Sequence, residues 1–251
     1  MSMSCGVAQG GPVRMATLCM ALLIPAVAGA AGWSIDPVRI DLYATQQTAA
    51  ITVGNDSVQP TTIQVQAVTW TQVEGKDVYT LTKEIIVSPP IFTIAPKSEQ
   101  VIRVALRRQA DTANELTYRI NLHELPAQPK RGFMGVQVAL RVSLPVFVQQ
   151  QDGKAVPKMA WNVSLLPDNM LKVGLKNQGS AHVQVSDFFL LPTGSDKQIA
   201  SESGSSYVLA GQAREWRLKM NTQKKLTGAS LRLKAYTDAG NIDAELELDK
   251  P

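Results

Sequence analysis

Large aliphatic residues alternate with small or polar ones along most of this chain, and the longest such run extends from Met134 to Phe147. Side chains of a strand point alternately to its two faces. Met134, Val136, Val138, Leu140, Val142 and Leu144 therefore share one face, opposite Gly135, Gln137, Ala139, Arg141 and Ser143. Such a strand is either sealed inside a sandwich or, at a sheet edge, offers an apolar ladder to another chain. Alternation alone favours the first reading, because most strands of this kind are core. Shorter runs precede it at Ile35–Tyr43, Ala49–Val53, Thr62–Trp70, Ile85–Val87, Val101–Leu106 and Tyr118–Leu122. Turn residues such as Gly54-Asn55-Asp56 separate them, and together they predict a β-sandwich.

Polar Gln149-Gln150-Gln151-Asp152-Gly153-Lys154, followed by Pro157, reads as a hinge between domains. A second β series follows at Trp161–Leu165, Leu171–Leu175, His182–Leu191, Tyr207–Leu209, Trp216–Met220, Leu231–Tyr236 and Ile242–Leu248. No long helical pattern interrupts either series, and the halves share no sequence repeat. The expected fold is all-β, two consecutive β-sandwich domains over 31–150 and 151–251.

Residues 1–30 are expected to be a secretory signal peptide. Arg14 supplies the positive start, Met15–Ile24 the apolar stretch, and Ala26-Val27-Ala28 or Ala28-Gly29-Ala30 a small-residue cleavage site. The stretch is too short to span a bilayer comfortably, so no stable membrane insertion is expected. Cys5 and Cys19, the two cysteines, both lie in that segment, which leaves no disulfide to an exported product. Removing Arg14 takes the formal charge from +4 to +3, too mild and dispersed to indicate nucleic acid.

Catalysis finds little footing. The histidines are His123 and His182, and no phosphate loop, zinc spacing or carboxylate cluster accompanies them. His123-Glu124 could be an acid–base pair but lacks an orienting third group, so both are read as solvated at a strand end. His182 is read as ordinary, and no cofactor or metal is expected.

Several blocks, taken in order, resemble the periplasmic chaperones of chaperone–usher pili. Ile35-Asp36-Pro37-Val38-Arg39-Ile40 is similar to that family's first strand, which carries a functional arginine. Ile51–Asn55 and Gln64–Trp70 resemble its second and third strands. Ser88-Pro89-Pro90 through Pro96, leading into Gln100-Val101-Ile102-Arg103-Val104, resembles its proline signature, with a shorter gap between the prolines. Tyr118–Pro126 is similar to the family strand ending in Glu-hydrophobic-Pro. The Ser143-Leu144-Pro145-Val146-Phe147 ending looks more like the archaic branch.

The resemblance implies two immunoglobulin-like domains set at an angle with a cleft between them, working in the periplasm. It implies binding of pilin subunits by donor-strand complementation and their delivery to an outer-membrane usher, without catalysis. The donor residues it implies are Met134, Val136, Val138, Leu140 and Val142. It implies a pair of basic residues that grip the subunit's terminal carboxylate. Arg39 matches the first; Pro145 stands where a lysine is usual, which leaves Arg119 and Arg141 as substitutes. How the free protein covers its strand is open, self-association being one way. The competing reading, from a different class, is a cell-surface structural subunit or adhesin built of β-sandwiches.

Overall fold

Proline 37 divides the first apolar run, and the two halves enter different sheets. It has no N–H to continue a ladder. The structure is a computed structural model that describes residues 32–126, 138–222, 226 and 230–249. The expected signal peptide lies outside the described residues, as do Met134 and Val136. In chain order the strands are β1 (Trp33–Asp36), β2 (Ile40–Leu42), β3 (Thr48–Asn55), β4 (Thr61–Val73), β5 (Lys76–Leu81), β6 (Ile85–Ser88), β7 (Ile91–Ile94), β8 (Glu99–Leu106), β9 (Leu116–Leu125) and β10 (Arg141–Val148). Then follow β11 (Met159–Leu166), β12 (Met170–Asn177), β13 (Val183–Pro192), β14 (Ala200–Val208), β15 (Ala213–Lys219), β16 (Ser230–Thr237) and β17 (Ile242–Asp249).

The described fold is all-β, as the alternation requires. In the first lobe a four-stranded sheet, β1-β3-β8-β6, faces a six-stranded one, β2-β10-β9-β4-β5, with β7 also paired to β4. Between them lie Ile51, Val53, Ile102 and Val104 from the first sheet and Ile63, Val65, Ile120, Leu122, Leu144 and Val146 from the second. Asn55 closes the end of this core: its buried amide donates to the carbonyls of Gln59 and Ile94 at 2.8 and 3.1 Å.

The second lobe is one seven-stranded sheet, β14-β13-β16-β17-β11-β12-β15, in which β17 pairs parallel to β11. Its terminal strands β14 and β15 come into contact, so the sheet rolls over its own core of Val163, Val173, Val185, Phe188, Leu190 and Leu233. Phe188 and Leu190, from the apolar run Phe188-Phe189-Leu190-Leu191, both point into that core, as a strand buried on one face demands.

Two strands escaped the pattern. Every residue of β5 is exposed, so nothing selects alternation in its sequence. β7 is a short strand between Pro90 and Pro96. The bonds Asp36–Pro37 and Ser88–Pro89 are both cis.

Candidate functional site

The outer face of the six-stranded sheet turns apolar where the second lobe meets it. In β4 the odd positions Ile63 and Val65 enter the first core, while even positions Val68, Trp70 and Gln72 are buried on the opposite face. Arg119 of β9 and Phe147 of β10 share that face. From the second lobe, Tyr207 and Leu209 pack against Trp70 and Phe147, forming a third, small core. The Trp70 and Tyr207 rings meet edge-on at 5.2 Å, a geometry that aligns ring edge with ring face.

Gln72 stitches this junction at the backbone. Its Nε2 donates to the Tyr207 carbonyl at 2.9 Å and to Asp77 Oδ1 at 2.8 Å, and its Oε1 accepts the Leu209 N–H at 3.0 Å. Trp70 Nε1 donates to the same Asp77 oxygen. A buried amide so satisfied fixes the approach of the second lobe as well as stabilising it.

Beside the aromatic rings lies a chain of charges. Arg39, immediately ahead of β2, reaches Asp41 through Nε and Nη2 and Asp238 Oδ2 through Nη1, each at 3.1 Å. Its guanidinium also sits 4.8 Å from the centre of the Phe147 ring, a cation–π distance. The ring of His182 stacks on Phe147 at 3.5 Å. His182 Nδ1 lies 2.6 Å from Glu115 Oε2, and Nε2 lies 3.4 Å from Asp238 Oδ2. The Glu115 side chain is fully buried; it also accepts the His182 backbone N–H and a Gln149 amide bond.

Burial alone would lower the His182 pKa, but Asp238 near Nε2, which makes no hydrogen bond of its own among the described residues, and the hydrogen bond and charge of Glu115 raise it above the ordinary imidazole value. Burial acts to raise Asp238, yet His182, the Gln184 N–H and Arg39 hold it below the usual carboxylate range. For Arg39, the desolvation that opposes its charge is outweighed by Asp41 and Asp238, so its pKa rises.

Arg119 is held differently. Its guanidinium lies over Trp70 at 4.0 Å and within 6.0 Å of the Tyr79 and Tyr207 rings. Nη1 makes one long contact, 3.4 Å, to the Ser143 carbonyl, and the buried Nε has no hydrogen-bond partner. Among the described residues no carboxylate pairs with it.

In register, Arg119 lies opposite Pro145, and β2 joins β10 only from Val146 onward. Arg39 precedes the first residue of β2, so both guanidiniums lie near the level where β2 begins. Arg141 stands four residues earlier on β10, opposite His123, exposed and away from the cluster.

Along Arg141–Leu144, β10 pairs with β9 on one side, and among the described residues no strand pairs with the other. Val142 packs against the first core. Leu140 and Val138 precede the strand; Val138 is 72% exposed. Leu140 is tied to Glu124, whose carboxylate accepts its N–H and whose own N–H donates to its carbonyl, both at 2.9 Å. Glu124 therefore anchors the entry to β10 instead of standing free in solvent.

Trp70, Gln72, Phe147, His182, Tyr207 and Asp238 were not singled out by sequence reasoning as site residues. One signal was present: in Val68-Thr69-Trp70 and Pro145-Val146-Phe147 the outward phase of a half-buried strand carries apolar residues, the mark of a second burial.

Residues 32–152 match the family described as pili and flagellar-assembly chaperone, PapD N-terminal domain. These residues belong to that family. Its members, and the solved relatives of the whole chain, are assembly chaperones and not enzymes. No curated protein matches the chain. Similar folds include a chain of the CsuC–CsuE chaperone–tip adhesion subunit pre-assembly complex, from archaic chaperone–usher Csu pili of Acinetobacter baumannii. It is 21% identical, with a TM-score of 0.63, over 88% of this chain and 100% of that one. A chain of the Salmonella enterica SafA pilin–SafB chaperone complex is 16% identical, with a TM-score of 0.56, over 86% and 95%. The Pseudomonas aeruginosa CupB2 chaperone is 18% identical, with a TM-score of 0.53, over 86% and 100%. The chain thus consists of two immunoglobulin-like β lobes in tandem.

Two outcomes test how its lobes are joined. Gln72→Leu keeps the volume but leaves the Leu209 N–H and Tyr207 carbonyl without their partner, and is expected to cost about 1–3 kcal/mol per stranded group in urea unfolding. The second concerns pH. Because the folded pKa of His182 lies above its unfolded value, its contribution is complete below the unfolded pKa and is lost as pH rises through the folded one. Between those two values stability should fall by up to about 1.4 kcal/mol per pH unit. His182→Phe, which can still stack on Phe147, should abolish that slope.

Proposed function

We propose that the protein is a periplasmic chaperone that captures pilin subunits by donor-strand complementation and hands them to an outer-membrane usher. The observation that carries this reading is that, among the described residues, the outer side of β10 is unpaired over Arg141–Leu144, ending near the level where β2 begins and where Arg39 and Arg119 lie. A guest strand laid along that side and running parallel to β10 would meet β2 head-on. Its terminal carboxylate would then stop beside the two guanidiniums. Backbone bonds supply affinity in such strand addition and alternate side chains supply the fit.

The donor residues we assign are Met134, Val136, Val138, Leu140 and Val142, the first two outside the described residues. Four such aliphatics buried in a guest's groove contribute on the order of 6–12 kcal/mol gross, from which ordering costs are subtracted. Val142 leans on its own core at the inner end of the series, whereas the exposure of Val138 suits insertion into another chain.

Of the two substitutes for the second basic anchor, Arg119 is the better placed. It lies beside Arg39 on an aromatic platform, with no carboxylate partner among the described residues. Arg141 sits farther back along the strand, where it would face the guest's backbone and not its end. We keep 31–150 and 151–251 as the working domains; the two main cores fall on either side of that division.

The sequence features shared with the archaic branch favour that subtype, and the residue 1–30 pattern favours export. The reading of a surface subunit or adhesin draws no support from the residue 32–152 match.

Pull-down of co-expressed pilin subunits from the periplasm tests the proposal. Arg39→Ala and Arg119→Ala should each weaken capture by loss of charge-assisted bonds of about 1.5–3 kcal/mol, roughly 10- to 150-fold in affinity, with the fold intact by circular dichroism. Val138→Asp should abolish it. Arg141→Ala should leave the terminal-carboxylate dependence unchanged. Undiminished capture by Val138→Asp would exclude strand donation through this face.

A further inference from the structure

One carboxylate oxygen at the lobe junction faces both Arg39 and the buried Nε2 of His182, which has no hydrogen-bond partner among the described residues. Asp238 Oδ2 lies 3.1 Å from Arg39 Nη1 and 3.4 Å from His182 Nε2, while Oδ1 accepts the Gln184 N–H at 2.8 Å. Asp238 is held in the turn between β16 and β17 by its own N–H on the Gln184 carbonyl. A second-lobe carboxylate thus already occupies the guanidinium assigned above to a guest's carboxylate.

We propose that Asp238 is a built-in competitor for the guest's terminal carboxylate at Arg39, and that the charge on His182 sets how strongly it competes. This rests on the strand-lending reading.

The groups facing His182 define the switch. Glu115, in the loop ahead of β9, faces Nδ1 with a carboxylate oxygen 2.6 Å away and accepts a hydrogen bond from it. Asp238, from the β16–β17 turn, faces Nε2. Arg39 and Asp41 lie beyond Asp238, ahead of and within β2, and the Tyr207 ring of β14 lies 5.7 Å away.

With both ring nitrogens protonated, Nε2–H draws Asp238 Oδ2 away from Arg39, and Nη1 of the guanidinium, which Asp41 still holds through Nε and Nη2, is open to another carboxylate. When the Nε2 proton leaves, an imidazole lone pair faces an acceptor oxygen. Nothing on that side then draws Asp238 from Arg39, and the competitor closes. The raised pKa of His182 brings this exchange toward neutral pH. Because Asp238 belongs to the second lobe and Arg39 to the first, a guest that displaces it also releases one tie between the lobes.

The test uses the whole chain and two readouts. Modification of Arg39 by 4-hydroxyphenylglyoxal is measured by peptide mass spectrometry as a ratio to exposed Arg103 in the same molecule. The ratio should rise several-fold as pH falls through the His182 titration, which is followed by NMR of the ring proton. Asp238→Asn should raise the ratio several-fold at every pH and flatten its dependence. His182→Phe should hold it at the alkaline level throughout. Asp238→Ser repeats the arm if the Asn variant melts early.

The second readout is binding of the hexapeptide Thr-Val-Thr-Val-Thr-Val with a free carboxylate or as its terminal amide. Asp238→Asn should tighten the carboxylate form several-fold and leave the amide unchanged. Equal labelling in wild type and Asp238→Asn overturns the inference, even if the carboxylate peptide still binds better than the amide and the strand-lending reading stands. Absence of any carboxylate preference in both proteins overturns that reading itself.

Discussion

Among the described residues, strand β10 has two neighbours over Val146–Val148 and one before Val146, and the rest of the site follows from that. β2 is only three residues long because the chain must leave β1 at Asp36, turn through Pro37, and reach the second sheet before pairing. Its first residue meets β10 at Val146. The residues that would extend β2 back toward Arg141 are paired instead with β3 in the other sheet. The same arrangement places Arg39 at the end of the uncovered side, so a break in one strand defines both the open edge and the charge at its foot.

The junction between lobes shows why that edge has a fixed floor. Trp70, Phe147 and Tyr207 exclude water, Gln72 sets the register of the second lobe, and the guanidiniums of Arg39 and Arg119 lie against the rings. Cations on aromatic faces retain charge without pairing, and partial burial strengthens their attraction for an incoming anion. A flexible lysine could supply the charge but not this planar stacking. On the proposed reading, that is why an arginine on β9 would serve where the family more often has lysine on the next strand.

Much of the architecture was legible because alternation reports one-sided burial. Ile63, Val65, Ile102, Val104, Ile120 and Leu122 all enter the first core on the phase their strands predict. β5 was illegible for the same reason, since a strand with no buried face has no phase to read. The split of Ile35–Tyr43 turns on Pro37, whose effect depends on which sheet each half can reach. The site was half legible. The family resemblance pointed to Arg39 and offered Arg119 and Arg141 as its partner, but His182, Glu115 and Asp238 lie far apart in sequence, and only the fold brings them together. An isolated histidine after a turn carries no mark of the two carboxylates it will meet.

The two guanidiniums are not equivalent, which suggests an order of events on the proposed reading. Arg119 has its charge stacked and, among the described residues, no carboxylate partner, with an unbonded buried Nε, so accepting a carboxylate there breaks none of the described ion pairs. Arg39 must exchange Asp238, a partner already made, and gains only the difference between two carboxylates. A guest would therefore first be held at Arg119 and along the open side of β10. Only a strand fully seated against the end of β2 would have its carboxylate close enough to compete for Arg39. Exchange at Arg39 then marks complete insertion, and a strand one residue short in register would fail to make it. On that reading the resident carboxylate would convert a nonspecific attraction for anions into discrimination for register.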